Sequence, residues 1–274
     1  MELEITAFYC LCDNFLISED WLDDRQCTMS TAEVMTAALT AAAFFSGSHE
    51  KSCNFLKEHG YIPDMLSKSQ FGRRLGKIPE SVWRGLMSQL AAPFHESDSL
   101  KIYLVDSFPV PVCRNIRIRR CKIYKDECFR GRVSSRKEYF YGLKVHALMT
   151  ESGIPVEIFM SPGSYSDTNS LYDFSFPLPA GSVVHGDKAY NAYNVEDELE
   201  QSGVHFNPVR KNNSKRKYES FIGDGVKFIR KRIESAFSVI AQKFPAHIHA
   251  VTSHGFELKV FLFILAYGIE KTML

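Results

Sequence analysis

The sequence predicts an α/β protein in which a mixed sheet follows a helical N-terminal region. Residues 1–98 contain runs of helix-forming residues, and residues 99–274 alternate short apolar segments, rich in β-branched and aromatic residues, with further helical segments. The chain has 274 residues, of which 45% are hydrophobic, so each part is large enough to bury a core. This composition excludes disordered and fibrous proteins.

Three segments of the N-terminal domain, residues 1–98, carry helix signals. Thr31–Phe45 is rich in alanine and ends at a Ser-Gly-Ser turn, and Lys51–His59 ends at a glycine. Ser67–Leu75 begins at a capping serine and carries Arg73 and Arg74 away from its apolar side. We expect a helix-turn-helix-like unit for DNA binding or assembly, in which these two arginines contact DNA; the alternative is an ordinary solvated face.

The sheet of residues 99–274 is expected to begin with Ile102–Asp106, an apolar run closed by a carboxylate. Tyr139–Met149 and Pro155–Met160 flank a short turn and predict an antiparallel hairpin. The remaining predicted elements are a helix over 167–173, a strand Ser182–Asp187, a helix Val195–Gln201, a strand His205–Val209, and helices Val226–Phe244 and Phe256–Lys271. This order predicts helices packed around a mixed sheet.

The two most apolar stretches are too short to span a membrane. Val34–Phe45 and Leu258–Ile269 both fall well below the roughly 20 residues that a spanning helix needs, so we interpret them as buried helices. The chain start has no basic flank before an apolar run, which argues against a secretory signal. The seven cysteines include no Cys-x-x-Cys pair, and we expect reduced thiols in a cytoplasmic protein.

Charge is distributed unevenly along the chain, although the net charge is only +1. Residues 1–100 carry 8 basic and 14 acidic side chains, whereas residues 101–274 carry 25 basic and 18 acidic ones. An excess of positive charge in one part of a chain indicates a polyanionic partner such as nucleic acid.

Three acids form the sharpest chemical signal in the sequence. Asp106 and Asp187 each follow an apolar run, and Glu234 lies on a helix whose other face is apolar. Carboxylates at the ends of adjacent strands meet at one edge of a sheet, and a helix beside that edge can add a third. Each acid alone is more commonly a turn or surface residue. Three convergent carboxylates predict a site for hard divalent cations, with two Mg²⁺ ions expected for in-line attack at a phosphodiester.

Two basic segments bracket these acids. The first spans residues 113–137, and the second, Arg210–Lys217, lies between Asp187 and Glu234. Cations around an acidic site offset its repulsion of a polyanion, although charge runs are often only solvated faces. The expected DNA contacts from these segments are Arg117, Arg119, Arg120, Lys122, Arg210, Lys211, Lys215, Arg216 and Lys217.

Further residues are candidates because they lie close to the acids in sequence or in the predicted sheet. Arg230 is four residues before Glu234 and can orient its carboxylate or bind a phosphate, the alternative being a surface ion pair. Lys188 follows Asp187, and Lys144 lies in the predicted hairpin; each contacts the scissile phosphate or lies on a solvated face. Asp167 is expected to cap the helix after it, although it could also assist metal binding.

The motifs around the acids resemble those of the acidic-triad (DDE) transposases of bacterial insertion sequences, most closely the insertion-sequence 982 family. The segments that carry the resemblance are Val105-Asp-Ser-Phe-Pro109, Tyr141-Gly-Leu-Lys-Val-His146, Pro162-Gly-Ser-Tyr-Ser-Asp167, Gly186-Asp-Lys-Ala-Tyr190, Arg232-Ile-Glu-Ser-Ala-Phe237 and His247-Ile-His-Ala-Val-Thr252. Related enzymes also carry Tyr-x2-Arg-x3-Glu-x6-Lys around the last acid. Here Arg230 and Glu234 fit, but Lys227 and Ala241 replace the tyrosine and the lysine; Lys243, two residues later, is a further expected DNA contact.

The resemblance implies a ribonuclease-H-like catalytic domain over residues 99–274, with Asp106, Asp187 and Glu234 as ligands of two Mg²⁺ ions that Mn²⁺ can replace. The implied activity is endonucleolytic cleavage at the ends of a mobile element, followed by transfer of the 3′-hydroxyl into target DNA. The implied partners are double-stranded DNA and a second copy of the chain, in the bacterial cytoplasm. A metal-dependent nuclease that only cleaves and a non-catalytic DNA-binding protein derived from a transposase remain as alternatives.

Overall fold

A computed structural model describes residues 1–96, 101–133, 137–211, 213–216 and 220–273, and side chains are described throughout these ranges except at residues 220–231. The α-helices are α1 (Glu2–Ser18), α2 (Thr31–Phe44), α3 (His49–Glu58), α4 (Lys68–Leu75), α5 (Glu80–Glu96), α6 (Asp167–Ser170), α7 (Tyr193–Gln201), α8 (Ser220–Lys243) and α9 (Ser253–Thr272). The strands are β1 (Ile102–Cys113), β2 (Arg130–Val133), β3 (Glu138–Thr150), β4 (Pro155–Pro162), β5 (Val183–Gly186) and β6 (His205–Pro208).

The chain forms two compact units, the first made of residues Met1–Leu90 and Ile240–Leu274. The predicted helical character of the N-terminal region is confirmed, and Ser30 and Ser67 begin α2 and α4 with capping boxes. Helices α2 and α9 are buried on nearly all sides, as expected for the two most apolar stretches, and they pack against each other. The C-terminal helix therefore belongs with the N-terminal helices, whereas a boundary at residue 98 assigns it to the domain that contains the sheet.

The second unit, Ala91–Val239, contains the sheet. Strand β1 pairs antiparallel with β3, and on its other side it pairs parallel with β5, which in turn pairs parallel with β6. The far edge of β3 pairs antiparallel with β2 and then with β4. The expected hairpin is present as β3 and β4, and the mixed sheet with its helices confirms the α/β class.

Strand β1 is longer than the sequence indicated, because it continues seven residues beyond Asp106 to Cys113. The expectation that Asp106 ends the strand is therefore wrong for its pairing with β3, which includes Pro109 and Pro111. The parallel pairing with β5 does stop at Val105, which lies opposite Gly186. Beyond Val105, the side of β1 that pairs with β5 has no neighbouring strand among the described residues. Proline has no backbone N–H to donate, but on this side there is no strand to accept a hydrogen bond, so Pro109 and Pro111 are tolerated.

The two faces of the sheet pack against different elements. Tyr103 and Val105 belong to one buried cluster with Val195 and Leu199 of α7. Phe108 faces the other way, as alternation along a strand requires, and its ring lies 4.7 Å from that of Phe237 in α8. In the described part of the chain, no helix is long and apolar enough to cross a membrane.

Candidate active site

The structure places Asp106 and Asp187 side by side. The last register pair of β1 and β5 is Val105 with Gly186; Asp106 comes next on β1, and Asp187 is the residue directly after β5. Neighbouring strands lie about 4.8 Å apart, and side chains at matching positions of parallel strands point to the same face. Two carboxylates separated by 81 positions in the sequence are thereby brought together at one point of the sheet.

Both carboxylates are held in the same way. The backbone N–H of Ser107 donates to Oδ1 of Asp106 at 2.8 Å, and the backbone N–H of Lys188 donates to Oδ1 of Asp187. Each side chain is therefore bent over the residue that follows it, and one oxygen of each carboxylate has a fixed donor. Asp187 also begins the short 3-10 helix Lys188–Tyr190, which turns the chain away from the sheet.

Helix α8 lies on the same face of the sheet as Asp106. Asp106 is two residues before Phe108, so it shares the face on which Phe108 meets Phe237. Glu234 lies about one turn before Phe237 on α8 and is exposed. Among the described residues, however, no three acidic, histidine or cysteine side chains are grouped closely enough to hold a metal ion. The strand register brings Asp106 and Asp187 together, and the joining of Glu234 to them stays a prediction.

The aspartate pair fits a hard divalent cation. Mg²⁺ and Mn²⁺ prefer carboxylate oxygens, and Mg²⁺ is commonly held by one or two carboxylates together with water and substrate phosphates. Asp106, on β1, and Asp187, directly after β5, supply such a pair. The side chain of Arg230, expected to assist Glu234, lies outside the described residues.

A polar cluster that the sequence did not reveal lies on the opposite face of β1. Oδ1 of Asp167 accepts hydrogen bonds from Oγ of Ser107 at 2.7 Å and from Nζ of Lys144 at 3.2 Å. Asp167 is not the helix cap that we expected, because Ser166 occupies the cap position of α6. Lys144 is only 15% exposed and also donates to the carbonyl of Tyr165, so its ammonium group is used within the protein. The only sequence signal was the nearness of Asp167 to the predicted acids.

Two buried rings adjoin this cluster. Burial raises the pKa of Tyr190 well above its ordinary value, and the charges of Asp106 and Asp167 raise it further. The phenol of Tyr190 is therefore protonated at neutral pH. Burial also lowers the pKa of His146 to about 4, although Asp167 opposes this change. His146 is therefore neutral at pH 7, and its Nε2 lies 2.8 Å from Oγ of Ser161.

Several cations that we expected to contact DNA are paired inside the protein. Arg210 is 11% exposed and binds both carboxylate oxygens of Glu196, at 2.6 and 2.9 Å. Arg216 binds both oxygens of Asp197 and lies over the ring of Tyr193. These contacts fix the segment after β6 to α7, so the basic run there is partly neutralised.

The same is true of two cations of the first unit. Arg74 pairs with Asp23 at 3.3 Å, donates to the carbonyl of Met29, and contacts the sulfur of Cys27. Lys243 pairs with Glu270 of α9. Both side chains therefore stabilise the packing of this unit, whereas Arg73, the neighbour of Arg74, is exposed.

The remaining predicted DNA contacts are exposed, except for Lys217, which lies outside the described residues. The 3-10 helix Asn115–Arg120 follows β1 and presents its arginines to solvent. Within the part of the chain that the structure describes, these side chains have no acidic partner. The exposed set is Arg117, Arg119, Arg120, Lys122, Lys188, Lys211 and Lys215.

Comparisons with known proteins identify the family of this chain. A family model described as a transposase DDE domain matches residues 96–244, more than half of the chain. Among solved structures, the cryo-EM structure of a piggyBac transposase synaptic complex with hairpin DNA is similar, with a TM-score of 0.45 and 12% identity. That similarity covers 99% of this chain and 66% of the other, so this chain spans just under two thirds of that length. No curated protein sequence matches.

The segment matched by the family model contains all three acids, Asp106, Asp187 and Glu234. It also contains the whole of the mixed sheet that places the two aspartates next to each other. The chain belongs to the family of transposase DDE domains.

Proposed function

We propose that this protein is a DNA transposase, which cleaves the phosphodiester at the ends of a mobile element and joins the freed 3′-hydroxyl to target DNA. The observation that carries the proposal is the register of β1 and β5, which sets Asp106 beside Asp187 within the matched DDE domain. We further propose that the sheet is ribonuclease-H-like, and that the element is a bacterial insertion sequence similar to the insertion-sequence 982 family, with the enzyme in the cytoplasm.

The family implies dependence on divalent metal ions. We assign Asp106, Asp187 and Glu234 as the groups that would hold two Mg²⁺, which Mn²⁺ would replace. Bound divalent cations supply an activated water and neutralise the charge of the phosphodiester. The part of the protein is to fix the two aspartates on neighbouring strands, each with one oxygen engaged by the next backbone N–H. Arg230, one turn before Glu234, would orient that carboxylate or contact a phosphate.

Double-stranded DNA is the proposed substrate, and a second copy of the chain is the proposed partner, since two element ends must be paired. Lys188 directly follows Asp187 and is exposed, so it is placed to contact a phosphate near the aspartates. The 3-10 helix of residues 115–120 lies beyond the end of β1, about 23 Å from Asp106 if the strand is extended. Its arginines would neutralise phosphates away from the scissile bond, which adds affinity without sequence readout.

The test is an assay of cleavage and joining on the DNA that flanks the coding gene, with Mg²⁺ or Mn²⁺ present. Asp106→Ala and Asp187→Ala each remove one of the neighbouring carboxylates and should abolish both steps, while Glu234→Ala tests the third acid. Glu200→Ala is the control. Glu200 lies near the C-terminal end of α7, and in the described part of the chain its exposed carboxylate pairs only with the exposed His205. Full activity in either aspartate variant would disprove the assignment.

A second arm of the assay separates the alternatives. A pre-cleaved end with a free 3′-hydroxyl should be joined to a second duplex by the wild-type protein. Cleavage without joining would indicate a nuclease that only cuts. Tight DNA binding with neither reaction would indicate a non-catalytic derivative.

A further inference from the structure

Strand β1 loses one of its two neighbours at the residue that carries the first aspartate. Its parallel pairing with β5 ends at Val105, whereas its antiparallel pairing with β3 continues through Asp106 and Ser107. From Asp106 onward, no ladder hydrogen bond with β5 holds this side of the strand in the described residues. The position of the Asp106 carboxylate then depends on other contacts.

Ser107 supplies one of those contacts, and it is itself held between two carboxylates. Its backbone N–H donates to Oδ1 of Asp106 at 2.8 Å, and its hydroxyl donates to Oδ1 of Asp167 at 2.7 Å. The two bonds run to opposite faces of β1, since neighbouring residues on a strand alternate. The hydroxyl bond therefore anchors the residue whose N–H orients Asp106.

Asp167 is itself held in place. Its Oδ1 lies 3.2 Å from Nζ of Lys144, a residue of β3 that also donates to the carbonyl of Tyr165 at 2.7 Å. The side chains of Asp167 and Lys144 are 26% and 15% exposed, so this pair is largely removed from solvent. Hydrogen bonds to charged groups are stronger than neutral ones, which makes Asp167 a firm anchor for Ser107.

We infer that Asp167, acting through the Ser107 hydroxyl, is a positioning residue that fixes the Asp106 carboxylate for metal binding. The inference rests on the proposed function, because the metal-holding role of Asp106 belongs to it. Residues that hydrogen-bond to the surroundings of a metal ligand typically change metal affinity 10- to 100-fold when they are removed. Asp167 is connected to Asp106 by such hydrogen bonds through Ser107.

The first experiment measures Mn²⁺ binding to the full chain by the electron paramagnetic resonance signal of free Mn²⁺. Ser107→Ala and Asp167→Asn should weaken binding about tenfold. Ser107→Thr keeps the hydroxyl and should bind within about twofold of the wild type. Asp173→Asn is the matched control, because Asp173 is an exposed aspartate of the same segment whose carboxylate accepts a hydrogen bond from Tyr165 and not from Ser107. Wild-type affinity in Ser107→Ala would overturn the inference.

The second experiment needs neither metal nor DNA. In Asp167→Asn, Ser107 is unchanged, and its amide should exchange with deuterium about tenfold faster than in the wild type, because the anchor of its hydroxyl is weakened. Unchanged protection of this amide would contradict the inference. If Asp167→Asn does not fold, the comparison of Mn²⁺ affinity between Ser107→Ala and Ser107→Thr tests the inference, since both variants keep the Asp167–Lys144 ion pair.

The two experiments separate the inference from the proposed function. If the wild-type protein binds Mn²⁺ through Asp106 and the Ser107 variants bind equally well, the inference fails and the function stands. If the wild-type protein binds no Mn²⁺ and cuts no DNA, the proposed function fails, and the amide exchange alone shows whether Asp167 anchors Ser107. In an active enzyme, the Mn²⁺ concentration for half-maximal cleavage should rise about tenfold in Ser107→Ala, with the KM for DNA unchanged.

Discussion

His146 is a fully buried histidine that takes part in no proposed chemical step, and its main effect is on stability. Burial holds the pKa of His146 at about 4, against 6.5 for an exposed histidine. Between these values the unfolded chain binds a proton that the folded chain does not, so acid favours unfolding. The contribution to stability is complete above pH 6.5 and is lost as the pH falls toward 4.

We therefore expect the unfolding free energy of the wild type to fall by about 3 kcal/mol more than that of His146→Gln between pH 6.5 and pH 4. Glutamine can still hydrogen-bond to Ser161 and does not titrate in this range. Denaturant unfolding at a series of pH values measures the difference. Parallel curves for wild type and His146→Gln would contradict this account.

At the residue scale, the sequence indicates which two aspartates lie together better than it indicates which cations are free to bind DNA. Asp106 and Asp187 could be found because each follows an apolar run, a pattern contained in a few adjacent positions. The roles of Arg210 and Arg74 depend on Glu196 and Asp23, which are distant in sequence, so both arginines were indistinguishable from solvated cations. The local sequence around Asp167 predicts a helix cap for the same reason, since its partners Ser107 and Lys144 lie on β1 and β3, far away in the sequence.

At the element scale, Gly142 of β3 permits an unusually close approach of β1. A Cβ atom at this position would lie 2.3 Å from the carbonyl oxygen of Val110 and 2.7 Å from the backbone nitrogen of Val112. This is the place where the register of the two strands shifts, between Pro111 and Cys113. Backbone atoms of a paired strand cannot move aside as a flexible side chain can. The length of β1 beyond Asp106 therefore depends on a residue without a side chain.

We expect Gly142→Ala to lower the unfolding free energy by about 3 kcal/mol, the upper end of the usual cost of overpacking. Gly72→Ala provides the contrasting control, because a Cβ there would have no neighbour within 4 Å. Gly72 lies inside α4, where alanine should stabilise by about 0.5–1 kcal/mol. Thermal unfolding of the two variants measures both effects. A Gly142→Ala protein as stable as the wild type would show that the strands can separate at this point without cost.

Among the elements, the hairpin of β3 and β4 and several helices were predictable, whereas α1, α5 and the full length of β1 were not. The capping Ser67 located α4, and the apolar stretches located α2 and α9, each to within a few residues. The apolar run that predicts β1 ends at the carboxylate of Asp106, whereas the strand itself continues through Pro109 and Pro111, residues that usually break strands. Their tolerance comes from the missing neighbour on one side of β1, which is a property of the sheet and not of the local sequence.

At the scale of the whole molecule, the fold class could be predicted and the division into units could not. The change from helical to strand-rich sequence near residue 100 correctly marks where the sheet begins. Helix α9 packs in the first unit because it is apolar on nearly all sides and must be buried. Its position in the sequence does not indicate which helices it packs against. The chain's net charge of +1 is equally uninformative about binding, because the surface effect of a cation depends on whether it is paired.

The exposed cations after β1 should therefore govern DNA affinity, and the paired ones should not. Replacing Arg117, Arg119 and Arg120 by glutamine is expected to weaken binding to duplex DNA and to reduce the slope of log affinity against log salt by about 2.7, since each neutralised phosphate accounts for about 0.9 of that slope. The control removes the same charge from exposed positions of the acidic N-terminal region, with Arg25, Lys51 and Lys57 changed to glutamine. Fluorescence anisotropy at several salt concentrations gives both slopes. Equal slopes in the two triple variants would mean that total charge, and not this basic segment, determines the affinity.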